Sequence, residues 1–478
     1  MSSNPQFSAA VADRIAYSRE ALGPVVGEYL PDYVVLPRSV EEVQHVVRDA
    51  AAENIPVYPY SRGTNVYGFT LPLKGGILLD LHHMNRILEV NQETMTATVE
   101  PGVIWGQLRR AAAEKGLAPM PILGPHTGGM IGNFTSWNFT PYASRYGPDR
   151  VTTLEVVLGN GEILRTGSQA VRGHESSNPY FRHAFGPDLT GLFRGSLGWL
   201  GIVTKAVVTL YPVPEVEKNI TFSFRGLAEA LSSMQRIERL DITKHIAIYN
   251  RLWAAEMCDP EFKRIRDPEA EQAALARYPN WILNVGICGK ARQVAFYEEL
   301  IAEEIADGER FCFEGQQKRY WEDYARGGGE RVTGMFGSAG SAISTLTVTP
   351  FSKCIRIYEK ARECIASHNF RDPVHGGLYE PSVMYFPSER GRVVYSEFEY
   401  RFDPGRPETV PPAMEVWQEL MEYYIEELGS SLMVLNVLVE TRLMPSYVDM
   451  LKGIKKLCDP RGIFSPDRFF RDATPGPK

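Results

Sequence analysis

The 478-residue chain contains no uninterrupted apolar run long enough to cross a bilayer as a helix, which takes about 18 residues. Its cysteines, Cys258, Cys288, Cys312, Cys354, Cys364 and Cys458, form no C-x-x-C pair. That spacing argues against a zinc knuckle, a redox dithiol or a disulfide framework and predicts mostly buried thiols. The opening Met1-Ser-Ser-Asn-Pro-Gln-Phe-Ser8 has neither a basic n-region nor an apolar h-region, so a cytoplasmic protein is expected. Positive charge is scarce and dispersed: 51 Lys and Arg against 58 Asp and Glu leave a formal net charge of −7. No nucleic-acid partner and no anionic membrane surface are expected from that balance. No G-x-G-x-x-G follows a strand at the start of the chain, which argues against a Rossmann dinucleotide site. Internal repeats and low-complexity segments are absent as well.

The material that is present suits a globular protein, with 44% hydrophobic and 23% charged residues. A chain this long exceeds one ordinary core, so two or three domains are expected. The Ser39-Val-Glu-Glu42 capping box followed by Val40, Val43, Val46 and Val47 predicts a helix to about Glu53. Strands are predicted at Pro56, Ile77–Leu81, Ile87–Val90 and Thr96–Glu100, then a helix from Val103 to Lys115. Asn160-Gly161 inside Leu154–Arg165 predicts a hairpin, and the prolines around Pro214 suggest a boundary. Beyond it, strands (Lys218–Phe224, His245–Tyr249, Trp281–Cys288, Ala342–Thr349, Arg392–Phe402) alternate with helices (Leu227–Leu240, Gln293–Ile305, Lys353–His368, Pro412–Leu428). A last helix is predicted from Tyr447 to Lys456. The pattern predicts an α+β fold.

The densest functional signal is Ser61-Arg-Gly-Thr-Asn-Val-Tyr-Gly68, a loop of small residues between apolar strands. Such a loop leaves backbone N–H groups unobstructed and can cradle phosphate oxygens without many cationic side chains. Gly128-Gly-Met-Ile-Gly-Asn133 is a second turn of the same kind.

Together with Met84-Asn-Arg-Ile-Leu-Glu-Val-Asn91, Val99-Glu-Pro-Gly-Val103, Thr153-Leu-Glu-Val-Val157, Phe185-Gly-Pro-Asp-Leu-Thr-Gly-Leu-Phe193, Gly201-Ile-Val-Thr-Lys205 and Asp459-Pro-Arg-Gly-Ile463, these loops resemble the vanillyl-alcohol oxidase and 4-cresol dehydrogenase family of flavoproteins. The resemblance spans most of the chain. It implies FAD as cofactor and a two-part FAD-binding domain, residues 1–215 plus 431–478. An α+β cap, residues 216–430, would lie between the two parts, an antiparallel sheet flanked by helices. Ile248-Tyr-Asn-Arg-Leu-Trp253 and Asn280-Trp-Ile-Leu-Asn-Val-Gly-Ile-Cys-Gly289 look like cap segments of the phenol-oxidising branch. The lactate and glycolate dehydrogenase branch carries a metal-binding His-x-Gly-Asp-Gly-Asn-x-His run. The nearest match here, Val374-His-Gly-Gly-Leu-Tyr379, lacks the Asp and the second His, so no metal is expected.

For the cofactor, the resemblance points to Tyr60, Ser61, Arg62, Gly63, Thr64 and Asn65 in the first loop and to Gly128, Gly129, Gly132 and Asn133 in the second. It adds Ser144, Tyr146 and Gly147, and Gly201 with Ile202 at a strand entry. Glycines permit close backbone approach, while Arg62 and Asn65 offer donors. Tyr67 matches the family's phenol-contacting tyrosine. Gly124 stands where the family has its acid/base aspartate, with His126 two residues on as a candidate proton carrier. The family's Tyr-Arg phenolate clamp has no counterpart in Ser430-Ser-Leu-Met-Val-Leu-Asn436, so Arg251, Arg401 or Arg442 would have to supply charge.

The strand Val393–Phe402 contains no His for a histidyl flavin bond, and FAD is expected to be non-covalent, with a tyrosyl link at Tyr395 as the alternative. Tyr395, Glu397 and Glu399 alternate onto one strand face, as a polar cavity wall would require, and Glu397 is a candidate base. Tyr249, Trp253, Tyr379, Tyr385, Tyr395 and Tyr400 would suit a flat, small aromatic substrate. The leading expectation is hydride transfer to FAD from a benzylic carbon or alcohol of a para-substituted phenol or related aromatic. The alternatives are a dehydrogenase of a non-phenolic alcohol or 2-hydroxy acid and a non-catalytic electron-transfer flavoprotein. Oxygen, a cytochrome or another carrier would accept the electrons, and a homo-oligomer is expected.

Overall fold

The computed structural model describes residues 6–18, 29–65, 68–121, 124–136, 150–174, 181–183, 185–305, 308–325, 341–373, 376–403, 405–430 and 440–470. Three sheets organise it. The first holds β1 (Gln6–Ser8), β2 (Tyr33–Leu36), β3 (Val57–Tyr60) and β4 (Ile77–Asp80) in the order β1-β2-β4-β3. Strands β2 and β3 run parallel to β4. The connection from β2 to β3 is the helix Val40–Glu53, capped by Ser39, whose side chain accepts from Glu42 N at 3.3 Å. Such a cap contributes about 1 kcal/mol. The Glu42 carboxylate reaches back one residue further than a capping box requires, to Arg38 N at 2.8 Å. Val43, Val46, Val47 and Ala50 turn the buried stripe of this helix onto the sheet.

The second sheet is antiparallel: β5 (Ile87–Asn91), β6 (Thr96–Val99), β7 (Leu117–Pro119), β8 (Val151–Val157), β9 (Ile163–Arg165) and β10 (Ile202–Pro212). Strand β10 is its centre, pairing with β6, β7 and β8. The predicted hairpin joins β8 to β9. There Gly161 takes φ +79° and donates to Leu158 O at 2.8 Å, a left-handed conformation that glycine adopts without steric cost. The helix predicted from Val103 begins at Trp105 and ends at Ala113, because Val103 still belongs to the turn that brings Met130 N to its carbonyl at 3.3 Å.

The third sheet is built from β11 (Val216–Phe224), β12 (His245–Asn250), β13 (Trp281–Gly289), β14 (Glu309–Phe311), β15 (Ser341–Thr349), β16 (Ser382–Ser388) and β17 (Val393–Phe402), in the order β14-β11-β13-β12-β16-β17-β15. Its pairs are antiparallel. Helices Leu227–Arg239, Ala291–Glu304, Phe351–Ser367 and Val410–Leu428 cover one face and form the largest apolar cluster. Arg251–Cys258, Pro268–Leu275 and Gly315–Ala325 pack on part of the other. Those last three helices and β16 were not predicted. Ser-Val-Met-Tyr-Phe-Pro-Ser is buried on both faces, so it carries no alternation to read,.

The chain's last described segment returns to the first sheet. Val57 N donates to Ile463 O at 2.8 Å and Ser465 N to Val57 O at 2.9 Å. Five cysteines are buried and Cys312 is exposed, all unbridged. Among the described residues, no helix is long and apolar enough to cross a membrane.

Candidate functional site

Where the third sheet faces the first two, a cavity of about 260 Å³ opens. Two of its walls come from the glycine loops. After β3 the chain leaves the sheet through Ser61, Arg62, Gly63, Thr64 and Asn65, which line the cavity along with Tyr60. Gly63 has φ +60°, and a Cβ there would stand 1.9 Å from the Tyr60 hydroxyl, so any larger residue would strain the turn and displace the Tyr60 ring. The Arg62 guanidinium donates to Gly102 O at 3.1 and 2.6 Å. Asn65 fixes the loop's exit, its Oδ1 accepting from Phe69 N at 3.1 Å and its Nδ2 donating to Thr70 Oγ1 at 3.2 Å.

The second loop lies directly against the first. A Cβ on Gly129 would stand 2.8 Å from Ser61 Oγ, and one on Gly128 would be 3.6 Å from Thr64 Oγ1. Gly132 and Asn133 continue the lining, and Trp105 Nε1 donates to Asn133 Oδ1 at 2.5 Å. Leu197, Gly198 and Gly201 close a third side. The result is a glycine-rich trough in which a bulky group can approach the backbone closely, with the hydroxyls and amides of Ser61, Thr64, Asn65 and Asn133 in the lining,. FAD fits that donor set. The trough would hold its pyrophosphate while the far end of the cavity receives the ring.

That far end is the face of β16 and β17 not covered by the large helical layer. Alternation along β17 sends Val394, Phe398 and Tyr400 into the helical core and Tyr395, Glu397 and Glu399 into the cavity,. Met384 and Phe386 of β16 and Trp253 of the helix Arg251–Cys258 complete the floor. The Phe386 and Tyr395 rings stack at 4.3 Å. The Tyr395 hydroxyl donates to Glu397 Oε2 at 3.1 Å. Burial raises the Glu397 carboxyl to about 7, opposed by hydrogen bonds from Tyr395 and Ser344. A carboxyl group with this affinity is half ionised near neutrality, the condition in which proton transfer in either direction is most effective.

Several expected residues sit elsewhere. Ile202, expected to offer its backbone, has its side chain fully buried in the apolar cluster that includes the helix Val40–Glu53, and its neighbour Gly201 lines the cavity. His126 does not line the cavity. Its Nε2 lies 2.7 Å from Arg109 Nη1, and because a guanidinium can only donate, that nitrogen accepts. Arg401 continues the Tyr395 face but is ion-paired with Glu256, which is 2% exposed and also accepts from Ser382 Oγ at 2.7 Å. Burial lowers the Arg401 guanidinium to about 10. Arg251 pairs with Glu380 at 2.9 Å and Arg442 with Glu426, so each of the three expected cations has a carboxylate of its own. Of the six expected aromatics, Trp253 and Tyr395 line the cavity. Tyr249, Tyr379, Tyr385 and Tyr400 are spent in apolar clusters instead. Tyr67, Ser144, Tyr146 and Gly147 lie outside the described residues, as does most of the Ser430–Asn436 segment.

Sequence reasoning missed Met384, Phe386 and Gly198 in the lining and Glu256 beneath it. Only Gly198 carried a signal, in the repeated glycines between Gly191 and Gly201.

Residues 31–167 match the family described as the FAD binding domain. The chain is 36% identical to the glycolate oxidase subunit GlcD of Bacillus subtilis over 234 residues, 48% of this chain and 47% of the relative. It is 33% identical to the flavoprotein subunit of 4-cresol dehydrogenase (hydroxylating) of Pseudomonas putida over 244 residues, 48% of this chain and 44% of the relative. Each match spans less than half the length of the curated relative. The whole fold is that of p-cresol methylhydroxylase, solved with substrate bound: TM-score 0.84 at 22% identity, over 98% of this chain and 94% of that one. The cofactor is FAD.

Proposed function

We propose that this protein, a divergent member of the flavoproteins with a p-cresol-methylhydroxylase-type FAD-binding fold, oxidises a para-substituted phenol or related aromatic at a benzylic carbon or alcohol. The observation that carries the reading is that Tyr395, Glu397 and Glu399 open into the same cavity as both glycine loops. Residues 1–215 with 431–478 would form the FAD-binding unit and 216–430 the cap.

FAD, when bound, supplies the hydride acceptor at N5. The protein's own part is positioning and proton management. Trp253, Met384, Phe386 and the Tyr395 ring would sandwich a flat substrate and exclude water,. Glu397, aimed by the Tyr395 hydroxyl, would take the proton from the substrate hydroxyl as the carbon gives up its hydride. A C–H and an O–H bond break, a carbon–oxygen or quinone-methide double bond forms, and the carboxylate ends protonated. Tyr67 would contact the phenol, and the electrons would pass on to oxygen or to a cytochrome or other carrier.

Anaerobic mixing of the holoprotein with a para-alkylphenol tests the reading: the oxidised-flavin absorbance should bleach. No bleaching by phenols or benzylic alcohols, with bleaching by an aliphatic 2-hydroxy acid, would replace it with the second reading. That alternative draws on the similarity to a glycolate oxidase subunit. Silence with every donor would leave a non-catalytic electron-transfer protein.

A further inference from the structure

We propose that Tyr17 is a positioning residue for the cofactor: through it the short helix Val11–Ser18 locks the rung from which the first glycine loop departs, so that FAD binding and docking of this helix favour one another. The inference rests on FAD as the cofactor and is independent of which donor is oxidised.

The loop leaves the first sheet at the last paired rung of β3 and β4, where Tyr60 stands beside Asp80. Tyr17 reaches both members of that rung. Its hydroxyl donates to Asp80 Oδ2 at 2.6 Å, and its ring stands edge-on to the Tyr60 ring, with centroids 5.1 Å apart. Each partner leads on to the loop. The Tyr60 hydroxyl lies so close to Gly63 that a Cβ there would stand 1.9 Å from it, and the same side chain lines the cavity. Asp80, which is 2% exposed, also accepts from His82 N at 2.9 Å. The His82 carbonyl lies against Gly102, where a Cβ would stand 2.6 Å away, and Gly102 O in turn accepts from the Arg62 guanidinium. Tyr17 therefore supports the loop at its entry through Tyr60 and, by way of Asp80 and Gly102, at Arg62.

The helix itself is lightly held. It is eight residues long, with Ser18 as its buried residue, while Val11 and Ile15 are 61% and 40% exposed. A helix this short is not stable in water by itself. It keeps its place through directed contacts: Tyr17, Arg14 Nε donating to Pro31 O at 2.6 Å, and the three-residue pairing of β1 with β2. An element of this kind opens locally at low cost. A loop already held in its binding conformation spends less of its binding energy on ordering, so an undocked helix leaves the loop freer and FAD more weakly bound. Linkage makes the effect mutual: whatever affinity the docked helix adds for FAD, bound FAD returns as docking of the helix.

Two measurements test this without turnover. Amide hydrogen exchange across residues 11–18 should be slower in the FAD-bound protein than in the apoprotein. FAD titrated into the apoprotein should bind at least about tenfold more weakly to Tyr17→Ala, which loses both contacts, and by a smaller factor to Tyr17→Phe, which keeps the ring. In Tyr17→Ala the exchange of residues 11–18 should no longer respond to FAD. Wild-type exchange indifferent to FAD, or an unchanged FAD affinity in a folded Tyr17→Ala protein, would overturn the proposal. Should the variants fail to fold, the wild-type exchange comparison decides alone. Because no donor is added, a protein that no phenol bleaches sinks the functional reading and leaves this one standing.

Discussion

The Tyr395 hydroxyl donates to Glu397 Oε2 across 3.1 Å, from two residues earlier on the same face of one strand. The relationship ties the ionisation of the candidate base to a neighbour that also stacks on Phe386. Burial raises Glu397 to about 7, above its ordinary value of 4.5. A raised carboxyl is protonated at low pH, so kcat/KM for donor oxidation should climb as pH rises through about 7 and level off above it. The stability sign is the reverse. The buried neutral carboxyl contributes its full share below the unfolded value and loses it as pH rises through about 7. Glu397→Gln should cost about 10²- to 10⁴-fold in kcat/KM and flatten the acid limb. A variant that keeps the limb would place the base elsewhere.

Tyr395→Phe removes the hydrogen bond that holds the Glu397 carboxyl down. The inflection of the same pH profile should therefore move to higher pH, while the FAD content of the purified protein stays unchanged. Acid precipitation of the wild type should release the yellow colour into the supernatant, since the phenolic oxygen is engaged with Glu397. Colour retained in the pellet, and lost in the Phe variant, would establish the tyrosyl link instead.

How far the sequence reveals this site depends on distance along the chain. The glycine loops and the alternation of Tyr395, Glu397 and Glu399 are local patterns with local causes, a left-handed φ that glycine adopts without steric cost and a pleat of period two, so they could be read directly. The fate of Arg401 could not, because its partner Glu256 comes from a helix far upstream. His126 beside Arg109 and Ile202 inside the core are likewise decided by tertiary neighbours. A buried strand such as Ser382–Ser388 loses the polar-apolar alternation that would announce it.

Gly198 supplies a stability test at the cavity wall. It has φ +74°, and a Cβ would stand 2.2 Å from Pro59 Cγ, an atom in a ring that cannot rotate away. Gly198→Ala should destabilise the protein by at least about 1–3 kcal/mol from backbone strain alone, read as a lower Tm with loss of bound flavin. Gly173→Ala is the contrasting case: φ is +84° but nothing lies within 4 Å, so only the strain should appear and flavin retention should be normal.

Lys455 is 7% exposed and donates to Trp199 O at 2.7 Å, Asp459 Oδ2 at 2.7 Å and Phe464 O at 2.8 Å. Replacing it with Met strands the Asp459 carboxylate, which is 2% exposed. Breaking one partner out of a buried pair costs about 3–5 kcal/mol, so Lys455→Met should lower the denaturant midpoint strongly. Adding Asp459→Asn should recover part of the loss. A double variant no better than the single would mean that the two carbonyl contacts, not the charge pair, carry the stability.

Arg468 tests whether the chain's last described segment serves the cofactor loop. It is 1% exposed and donates to Gly68 O at 2.8 Å and Leu71 O at 3.0 Å, across 400 and 397 residues of chain. Gly68 has φ +75° and immediately follows Tyr67, so this guanidinium pins the loop's exit beside the residue expected to touch the phenol. Lys74 and Asp467 add a second tie at 2.7 Å. Lysine can reach one of the two carbonyls but lacks the planar fork that serves both. Arg468→Lys should therefore keep the fold while weakening FAD binding and raising KM for the donor more than it lowers kcat, the signature of a loop that positions rather than reacts. Equal FAD affinity and unchanged KM in a well-folded Lys variant would show that the loop holds its shape without the segment.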